Sequence, residues 1–229
     1  MSTEDTTGTQ SAGTQSADAE TAAAGAAAGS GDGGLSVPTL GDGALTLREL
    51  RAADAEALTA NCQDPEAVRW TTVPEPYGVE SALWYIQQHV PGALRAGEAV
   101  NWAVEDPQGR FLGTIELCRL RAGAADIGLN FGPHARGTGA AEGACRLVID
   151  HAFGPMGLTH LHWQAFDGNW ASRKLAWKLG FSDPVLVRGF MEQRGQLRDT
   201  WIATLAADAP RSPSQPWTGP GADGGGAPA

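Results

Sequence analysis

The sequence predicts an α+β (mixed α/β) fold in which about four helices flank a mixed, mostly antiparallel sheet of about seven strands. Two observations predict this class. Apolar and polar residues alternate in short segments over most of the central chain, whereas helical spacing of apolar residues is confined to a few segments. One of those helical segments, about residues 139–153, directly joins two strand segments, and a connection of that length is typical of a crossover between parallel neighbours.

The first part of the domain contains one strand and two helices before the main run of strands begins. The segment ALTLREL (44–50) alternates as a strand does, and DAEALTANC (54–62) carries apolar residues at helical spacing. Two prolines make TVPEPYG (72–78) a loop. The next segment, VESALWYIQQHV (79–90), predicts a helix that we expect to end at the Pro91-Gly92 pair.

The rest of the domain consists of a three-stranded meander, the crossover helix, and then a strand, a helix and two final strands. Turns with the sequences PQG and RAGA separate the strands of the meander. Gly180 follows the last helix and suits a helix C-terminus. The predicted strands are 101–106, 110–120, 125–132, 159–166, 181–191 and 197–205, and the predicted helices are 139–153 and 170–179.

The two ends of the chain differ in composition from its middle. Residues 1–43 contain no aromatic residue, lysine or arginine, and are rich in Ala, Gly, Ser, Thr and acidic residues. Such a segment buries too little apolar area to offset its chain entropy, which predicts a disordered acidic tail. Residues 207–229 are rich in Pro and Gly and predict a second disordered tail, in which Trp217 has no apolar neighbours. Residues 44–206 are then the one folded domain.

Charge and residue usage argue against several classes of protein. The chain has a formal net charge of -10 at pH 7, much of it in the first tail, and its nearly neutral domain lacks the basic face that nucleic-acid binding needs. The acidic tail is interpreted either as a segment that only increases solubility or as an arm that binds a specific partner. No apolar run is long enough to span a bilayer and no signal peptide is evident, so we expect a cytoplasmic protein without a membrane partner. The 3 cysteines are widely spaced, and His160 and His162 have no third ligand nearby, so we expect no disulfide framework and no metal site.

The segment HARGTGAAEG (134–143) places an arginine and three glycines between a predicted strand and the crossover helix. Such turns present free N–H groups at the positive end of the helix dipole, where anions bind, and glycines let an anion approach the backbone. A P-loop is excluded because Lys174 and Lys178, the only lysines, lie in a later helix. A dinucleotide motif also fits poorly, because Glu142 stands where its third glycine belongs. From these residues alone, an anion site and a turn that binds nothing both stay open.

Two motifs together resemble the GNAT acetyltransferase family. The segment RGTGAA (136–141) fits the R/Q-x-x-G-x-G/A signature whose N–H groups hold the pyrophosphate of acetyl-CoA in that family. The segment NWASRKLAWKLGF (169–181) is similar to the family's N-x-x-S/A segment that ends in Gly-Phe. The motifs occur in the family's order, and the predicted elements over residues 44–206 follow the GNAT fold. Within the family, the sequence of the glycine loop is most similar to that of the bacterial RimJ and RimL ribosomal-protein N-terminal acetyltransferases.

The resemblance implies a set of residues that bind acetyl-CoA as co-substrate, without a metal. The acetyl carbonyl would accept hydrogen bonds from the backbone of the strand around Leu129, Asn130 and Phe131. Asn169 would hold the pantetheine arm, and Ser172 would reach the sulfur as a hydrogen-bond donor or general acid. A plain helix N-cap for Asn169 and a first-turn residue without a task for Ser172 stay open as alternatives. The phosphates would contact Arg136 and the residues after it, namely Gly137, Thr138, Gly139, Ala140 and Ala141.

The sequence departs from the family pattern at the catalytic acid. Many members have a tyrosine seven residues after the asparagine, where this chain has Ala176, so Ser172 is the better candidate. Glu116 and Asp126 lie on adjacent predicted strands and are the candidates for the base, with ordinary edge carboxylates as the alternative. An α-amino group, with a pKa near 7.7–8.0, is about a tenth neutral at pH 7 and needs less help from a base than a lysine does.

The resemblance also places the amine acceptor beside the loop between the first two helices. The candidate contacts are Trp70, Glu75, Tyr77 and Trp84, and packing of these residues on the domain's own surface is the alternative. We expect acetyl transfer to a protein N-terminus by a monomer or homodimer. Transfer to a small amine, such as a polyamine or an antibiotic, and acyl-CoA binding without turnover stay open.

Overall fold

A computed structural model of the chain describes residues 34–222. Eight strands form one sheet in the order β1-β2-β3-β4-β5-β6-β8-β7, and only the β5–β6 pair is parallel. The strands are β1 (Leu40–Gly41), β2 (Thr46–Arg48), β3 (Val100–Glu105), β4 (Phe111–Arg121), β5 (Ala124–Phe131), β6 (His160–Phe166), β7 (Val185–Gln193) and β8 (Gln196–Ala206). The predicted α+β class is therefore confirmed, and the short β1 is the strand that was not expected.

The helices are α1 (Ala55–Gln63), α2 (Pro65–Trp70), α3 (Val79–Trp84), α4 (Val90–Arg95), α5 (Ala140–Phe153) and α6 (Trp170–Lys178). Helix α2 was not predicted, although Asp64 caps its N-terminus and Pro65 begins it. The expected helix end at Pro91-Gly92 is wrong, because α3 continues through one π-helical turn (Tyr85–His89) into α4. That turn ends two residues before Pro91, whose ring nitrogen cannot donate the i to i−4 hydrogen bond of a regular helix. None of the helices within residues 34–222 is both long and apolar enough to cross a membrane.

Apolar side chains cover both faces of the sheet. Trp102 of β3 is fully buried in a cluster with α5, whereas its neighbour Ala103 is buried in a second cluster with α1 and α3. This alternation follows from the strand period of two, which sends successive side chains to opposite faces. The helices therefore pack in layers on either side of the central strands.

The parallel strands β5 and β6 separate along their length. Their pairing runs from Ala124 opposite His160 to Ile127 opposite Trp163 and then stops. Both strands continue beyond that point, to Phe131 in β5 and to Phe166 in β6. The sheet therefore opens in its middle, and the end of β5 turns an unpaired backbone edge toward the gap.

Both ends of the described chain pack against the domain. Leu35 and Val37 contact the core, and Trp102 Nε1 donates a hydrogen bond of 2.8 Å to the carbonyl of Pro38. The folded part thus begins before residue 44, while residues 1–33 and 223–229 of the two predicted tails lie outside the described range. The expectation that Trp217 has no apolar neighbours is wrong, because its ring centroid lies 5.6 Å from that of Trp177.

Candidate active site

The gap between β5 and β6 opens into a cleft of about 1010 Å³. One side of the cleft is formed by the start of α5, the start of α6 and the separated strand ends, and the other by α1, α2 and the π-helical turn. Because the cleft passes through the sheet, a molecule bound on one side can meet a second molecule that enters from the other.

The glycine loop sits at the N-terminus of α5. Gly137 and Gly139 have φ of 75° and 87°, and Gly139 is the N-cap residue without a capping side chain. A Cβ at either glycine would meet no atom within 4 Å, so the left-handed backbone is what favours glycine here. The hydroxyl of Thr138 accepts from the N–H of Ala140 at 3.3 Å.

The next two N–H groups of α5 are available to a ligand. Within residues 34–222, neither Ala141 nor Glu142 has an acceptor for its backbone N–H. Ala141 and Gly139 both line the cleft. The positive end of α5 therefore offers unsatisfied donors to an anion in the cleft.

Arg136 makes an ion pair that the sequence did not suggest. Its guanidinium donates to Asp64, and Asp64 also caps α2 by accepting from the N–H of Glu66 at 3.0 Å. The hydrogen bond from Arg136 lowers the pKa of Asp64. The arginine thus ties the glycine loop to α2, and because Arg136 also lines the cleft, its role as an anion donor stays a prediction.

Asn169 and Ser172 lie together at the start of α6, beside the gap. Asn169 Oδ1 accepts from the N–H of Ser172 at 3.1 Å, so the expected N-cap is present and the amide NH2 stays available. The hydroxyl oxygen of Ser172 accepts from Trp163 Nε1 at 2.9 Å. Because the indole has supplied that bond, the O–H of Ser172 is left to donate into the cleft.

Glu116 lies where β5 leaves β6. It stands opposite Gly128 in the β4–β5 register, and a Cβ on Gly128 would come within 2.6 Å of Glu116 Oε1. The amide of Asn101 donates both to the Glu116 carboxylate and, at 3.1 Å, to the hydroxyl of Tyr85. Burial and the charge of Glu116 raise the pKa of Tyr85, which therefore stays a neutral phenol.

Asp126 has different hydrogen-bond partners from Glu116. It is 2% exposed, and its carboxylate accepts from Arg119 at 2.8 Å, from Arg121 at 3.1 Å and from Gln164 at 2.7 Å. Both of its oxygens are therefore occupied by charge-assisted hydrogen bonds from the two guanidinium groups. Of the two candidate bases, the structure leaves Glu116 available and makes Asp126 an anchor for arginines.

The predicted acceptor residues divide into two groups. Trp70 and Tyr77 line the cleft, as expected. Glu75 and Trp84 are not among its lining residues, because Glu75 faces Arg194 at 3.7 Å and Trp84 is 60% exposed on the outer side of α3. Sequence reasoning missed Tyr85, which the π-helical turn brings to the cleft.

Two cysteines also line the cleft, and both are thiols near neutral pH. Burial raises the pKa of Cys62 to about 11 and that of Cys118 to about 12. Since the thiolate is the nucleophilic form of cysteine, the surroundings of these two residues do not activate them.

Comparison with known proteins agrees with this geometry. The family model of the GNAT acetyltransferase domain matches residues 44–182. An uncharacterized N-acetyltransferase of Bacillus subtilis (strain 168), YoaA, is 28% identical over 171 residues, which cover 73% of this chain and 96% of YoaA.

Among solved structures, Mycobacterium smegmatis RimJ in complex with CoA-disulfide matches with a TM-score of 0.66 at 21% identity, covering 74% of this chain and 88% of RimJ. RimL, a ribosomal α-N-protein acetyltransferase in complex with coenzyme A, matches with a TM-score of 0.64 at 15% identity, covering 71% of this chain and 94% of RimL. The family model matches more than half of the length of this chain. The chain therefore belongs to the GNAT acetyltransferase family and is an acyltransferase.

Proposed function

We propose that this protein transfers an acetyl group from acetyl-CoA to the α-amino group of a protein N-terminus. One observation carries the proposal. A single cleft joins the available N–H groups at the start of α5, the unpaired end of β5, and two side chains suited to the transfer, Glu116 and Ser172. When bound, the thioester supplies the activated acetyl group, and the residues of the chain hold and orient both reactants.

The chain's own groups fit acetyl-CoA at several points of the cleft. The N–H groups of Ala141 and Glu142 suit the pyrophosphate, since they are unsatisfied and lie at a positive helix end. The free amide NH2 of Asn169 suits a pantetheine carbonyl, and the open edge around Leu129 suits the acetyl carbonyl. The carboxylate of Glu142 would oppose an anion here, but salt bridges to Arg146 and Lys178 offset its charge.

Two side chains assist the transfer, Glu116 by taking up a proton and Ser172 by donating a hydrogen bond. Glu116 accepts a proton from the α-ammonium group of the acceptor, after which the neutral nitrogen bonds to the acetyl carbon. The second proton that this nitrogen loses goes to the departing sulfur. As the carbon–sulfur bond breaks, the O–H of Ser172 donates a hydrogen bond to the sulfur and stabilises its negative charge. Trp163 keeps that O–H directed toward the cleft by filling a lone pair of the same oxygen.

Two arguments favour an α-amino acceptor. RimL, which shares the fold, is by name an α-N-protein acetyltransferase. In addition, a single carboxylate base suffices for an α-amino group with a pKa near 7.7–8.0, whereas lysine near 10.4 must first lose a tightly held proton.

The cofactor part of the proposal is tested by calorimetric titration of acetyl-CoA into the full chain. Gly139→Asp places a negative side chain at the phosphate loop, and Gly139→Asn introduces a side chain of the same shape without the charge. Both residues tolerate a left-handed backbone, so the pair isolates the electrostatic effect. We expect the dissociation constant of the aspartate variant to exceed that of the asparagine variant by about tenfold or more. Equal affinities would contradict a phosphate site at Gly139.

The acceptor part is tested with three compounds supplied at equal concentration. The first is a peptide with a free N-terminal serine, the second the same peptide with a blocked N-terminus and an internal lysine, and the third a polyamine. We expect acetylation of the first, located at the α-amino group by mass spectrometry. Consumption of the polyamine alone would show a small-molecule enzyme, and acetyl-CoA binding without turnover of any amine would show a binding domain.

A further inference from the structure

Two arginines and a buried aspartate form a cluster at the cleft, whose lining includes Arg119 and Asp126. Arg119 donates through Nε to Asp126 Oδ2 at 2.8 Å, and Arg121 donates through both terminal nitrogens to Oδ1 at 3.1 Å. The side chain of Asp126 is 3% exposed, whereas those of Arg119 and Arg121 are 57% and 50% exposed. The carboxylate therefore fixes two guanidinium groups that both reach solvent.

A β-bulge creates this arrangement. In the β4–β5 register, Cys118 lies opposite Asp126 and Arg121 opposite Ala124, so β4 contains one residue more than β5 over this stretch. Arg119 has a left-handed φ of 50°, which is uncommon for a residue other than glycine. Regular alternation would send its side chain to the opposite face from Cys118, but the bulge returns it to the face of the cleft. The hydrogen bonds from Arg119 to Asp126 help to hold this uncommon backbone conformation.

The cluster presents a guanidinium group to the cleft. Two guanidinium groups face one carboxylate, and His162 Nδ1 adds a partner at 3.5 Å from Asp126. Arg121 Nη1 also donates a hydrogen bond of 2.6 Å to the carbonyl of Arg119. Arg119 itself lines the cleft, and within residues 34–222 its Nη1 group has no acceptor. One guanidinium edge is therefore rigidly held and available to an anionic group of a ligand.

The spacing between Glu116 and Arg119 along β4 indicates which residue of the acceptor carries the anionic group. Arg119 follows Glu116 by three positions along β4, a separation of about 10 Å or less given the bulge. An extended peptide advances about 3.3–3.6 Å per residue. With its α-amino group at Glu116, such a peptide brings the side chain of its second or third residue to Arg119.

We propose that Arg119 is a specificity-determining residue that binds an acceptor carboxylate at the second or third residue after the reacting α-amino group. This inference rests on the proposed acetylation of protein N-termini. It names the substrate class: N-terminal segments that carry Asp or Glu at the second or third residue after the reacting one.

The test uses the full chain, acetyl-CoA and four acceptor peptides with a free N-terminal serine. One peptide carries aspartate at its second residue, one carries it at its third, one has asparagine at both positions, and one carries aspartate only at its sixth. Arg119→Gln removes the proposed contact. Arg110→Gln is the matched control, because Arg110 is 65% exposed in a salt bridge with Asp106 at the β3–β4 turn and is not part of the cleft lining.

We expect the unaltered chain to acetylate one of the first two peptides with a kcat/KM about tenfold above that of the asparagine peptide, through a lower KM. The aspartate at the sixth residue should give no gain. In Arg119→Gln this preference should fall to about one, while Arg110→Gln should keep it.

Equal use of the aspartate and asparagine peptides by the unaltered chain would overturn the inference and leave the proposed function standing. A preference that persists in Arg119→Gln would overturn the role of this residue. If no peptide is acetylated although acetyl-CoA binds, the proposed function fails and this inference fails with it.

Discussion

The indole N–H of Trp163 in β6 donates a hydrogen bond of 2.9 Å to the hydroxyl oxygen of Ser172 in α6. Trp163 is 4% exposed and packs edge-on against Phe181, with ring centroids 5.3 Å apart. The donor is therefore fixed in place, and it fixes the direction in which the serine O–H can donate. Many GNAT enzymes use a tyrosine for this task at a position where this chain has Ala176.

This pair predicts coupled effects on turnover. Ser172→Ala removes the donor to the leaving sulfur and should lower kcat by about 10- to 100-fold. Trp163→Phe keeps the serine but frees its hydroxyl to rotate, so a smaller loss of about threefold to tenfold is expected. The double variant should be no slower than Ser172→Ala alone, because the tryptophan acts only through the serine.

Steady-state kinetics of the three variants checks this double-mutant cycle. Losses that simply multiply in the double variant would mean that Trp163 affects turnover by packing and not through Ser172.

Glu116 predicts a pH-dependent loss of activity. Glu116→Gln keeps an acceptor for the amide of Asn101 but removes the base. At pH 7 we expect kcat/KM for an N-terminal serine peptide to fall by about threefold to tenfold, because about a tenth of the α-amino groups is neutral at that pH without a base. The deficit should shrink as the pH rises through about 8, because the α-amino group then loses its proton without help.

A pH–rate profile of the two proteins measures this difference, with the exposed Glu56→Gln as the control for loss of one carboxylate. A deficit that stays constant with pH would mean that Glu116 orients the acceptor and does not accept its proton.

The predictable parts of the site are those in which the signal is local. The glycine loop and the Asn169 cap are turns of a few residues, and the structure places both where the sequence indicates. Their chemistry depends on neighbouring residues and on the helix that follows, so a short segment contains all the necessary information.

The parts that sequence reasoning missed depend on register between distant segments. Asn101 reaches Glu116 only because β3 and β4 pair as they do. A bulge of one residue turns Arg119 to the cleft, against strict strand alternation. The π-helical turn does the same for Tyr85, and helical periodicity does not show such a turn. For the same reason, the two candidate carboxylates could not be separated before their partners were known.

A buried salt bridge remote from the cleft predicts the response of the fold to acid. Arg48 and Asp54 are 7% and 6% exposed and make two hydrogen bonds of 2.8 Å. Burial by itself would raise the pKa of Asp54, but the bonds from Arg48 and from the N–H of Arg51 outweigh it and lower the pKa below its ordinary value. A lowered pKa means that this contribution to stability is complete above the unfolded pKa, near 3.9, and is lost as the pH falls through the lower folded value.

Asp54→Asn should therefore destabilise the fold by about 3 kcal/mol at pH 7, because it leaves a buried guanidinium short of a charge partner. The difference from the unaltered chain should diminish below about pH 4. Urea unfolding at several pH values measures both effects, and the exposed Asp183→Asn serves as the control. A destabilisation independent of pH would show that the asparagine disturbs packing and that the ion pair contributes little.

The C-terminal segment around Trp217 lies outside residues 44–182, which the family model matches, and it contacts the helix that holds Ser172. We therefore predict that this segment stabilises α6. Trp217 lies 6.3 Å from Trp170 and 5.6 Å from Trp177, ring centroid to ring centroid, and the guanidinium of Arg173 sits 5.9 Å from it. These contacts cover the outer face of α6. Trp217→Ala should lower the free energy of unfolding by about 1–2 kcal/mol, because it removes aromatic and cation–π contacts.

The matched control is Trp84→Ala, which removes a tryptophan that is 60% exposed and should change stability by no more than about 0.5 kcal/mol. Urea unfolding followed by circular dichroism compares the two variants without relying on tryptophan fluorescence. A truncation after residue 212 should destabilise the fold at least as much as Trp217→Ala, since it removes the same ring and also the Gln215 carbonyl that accepts from Trp177 Nε1 at 2.7 Å. Equal stabilities of the two alanine variants would mean that the C-terminal segment rests on α6 without stabilising it.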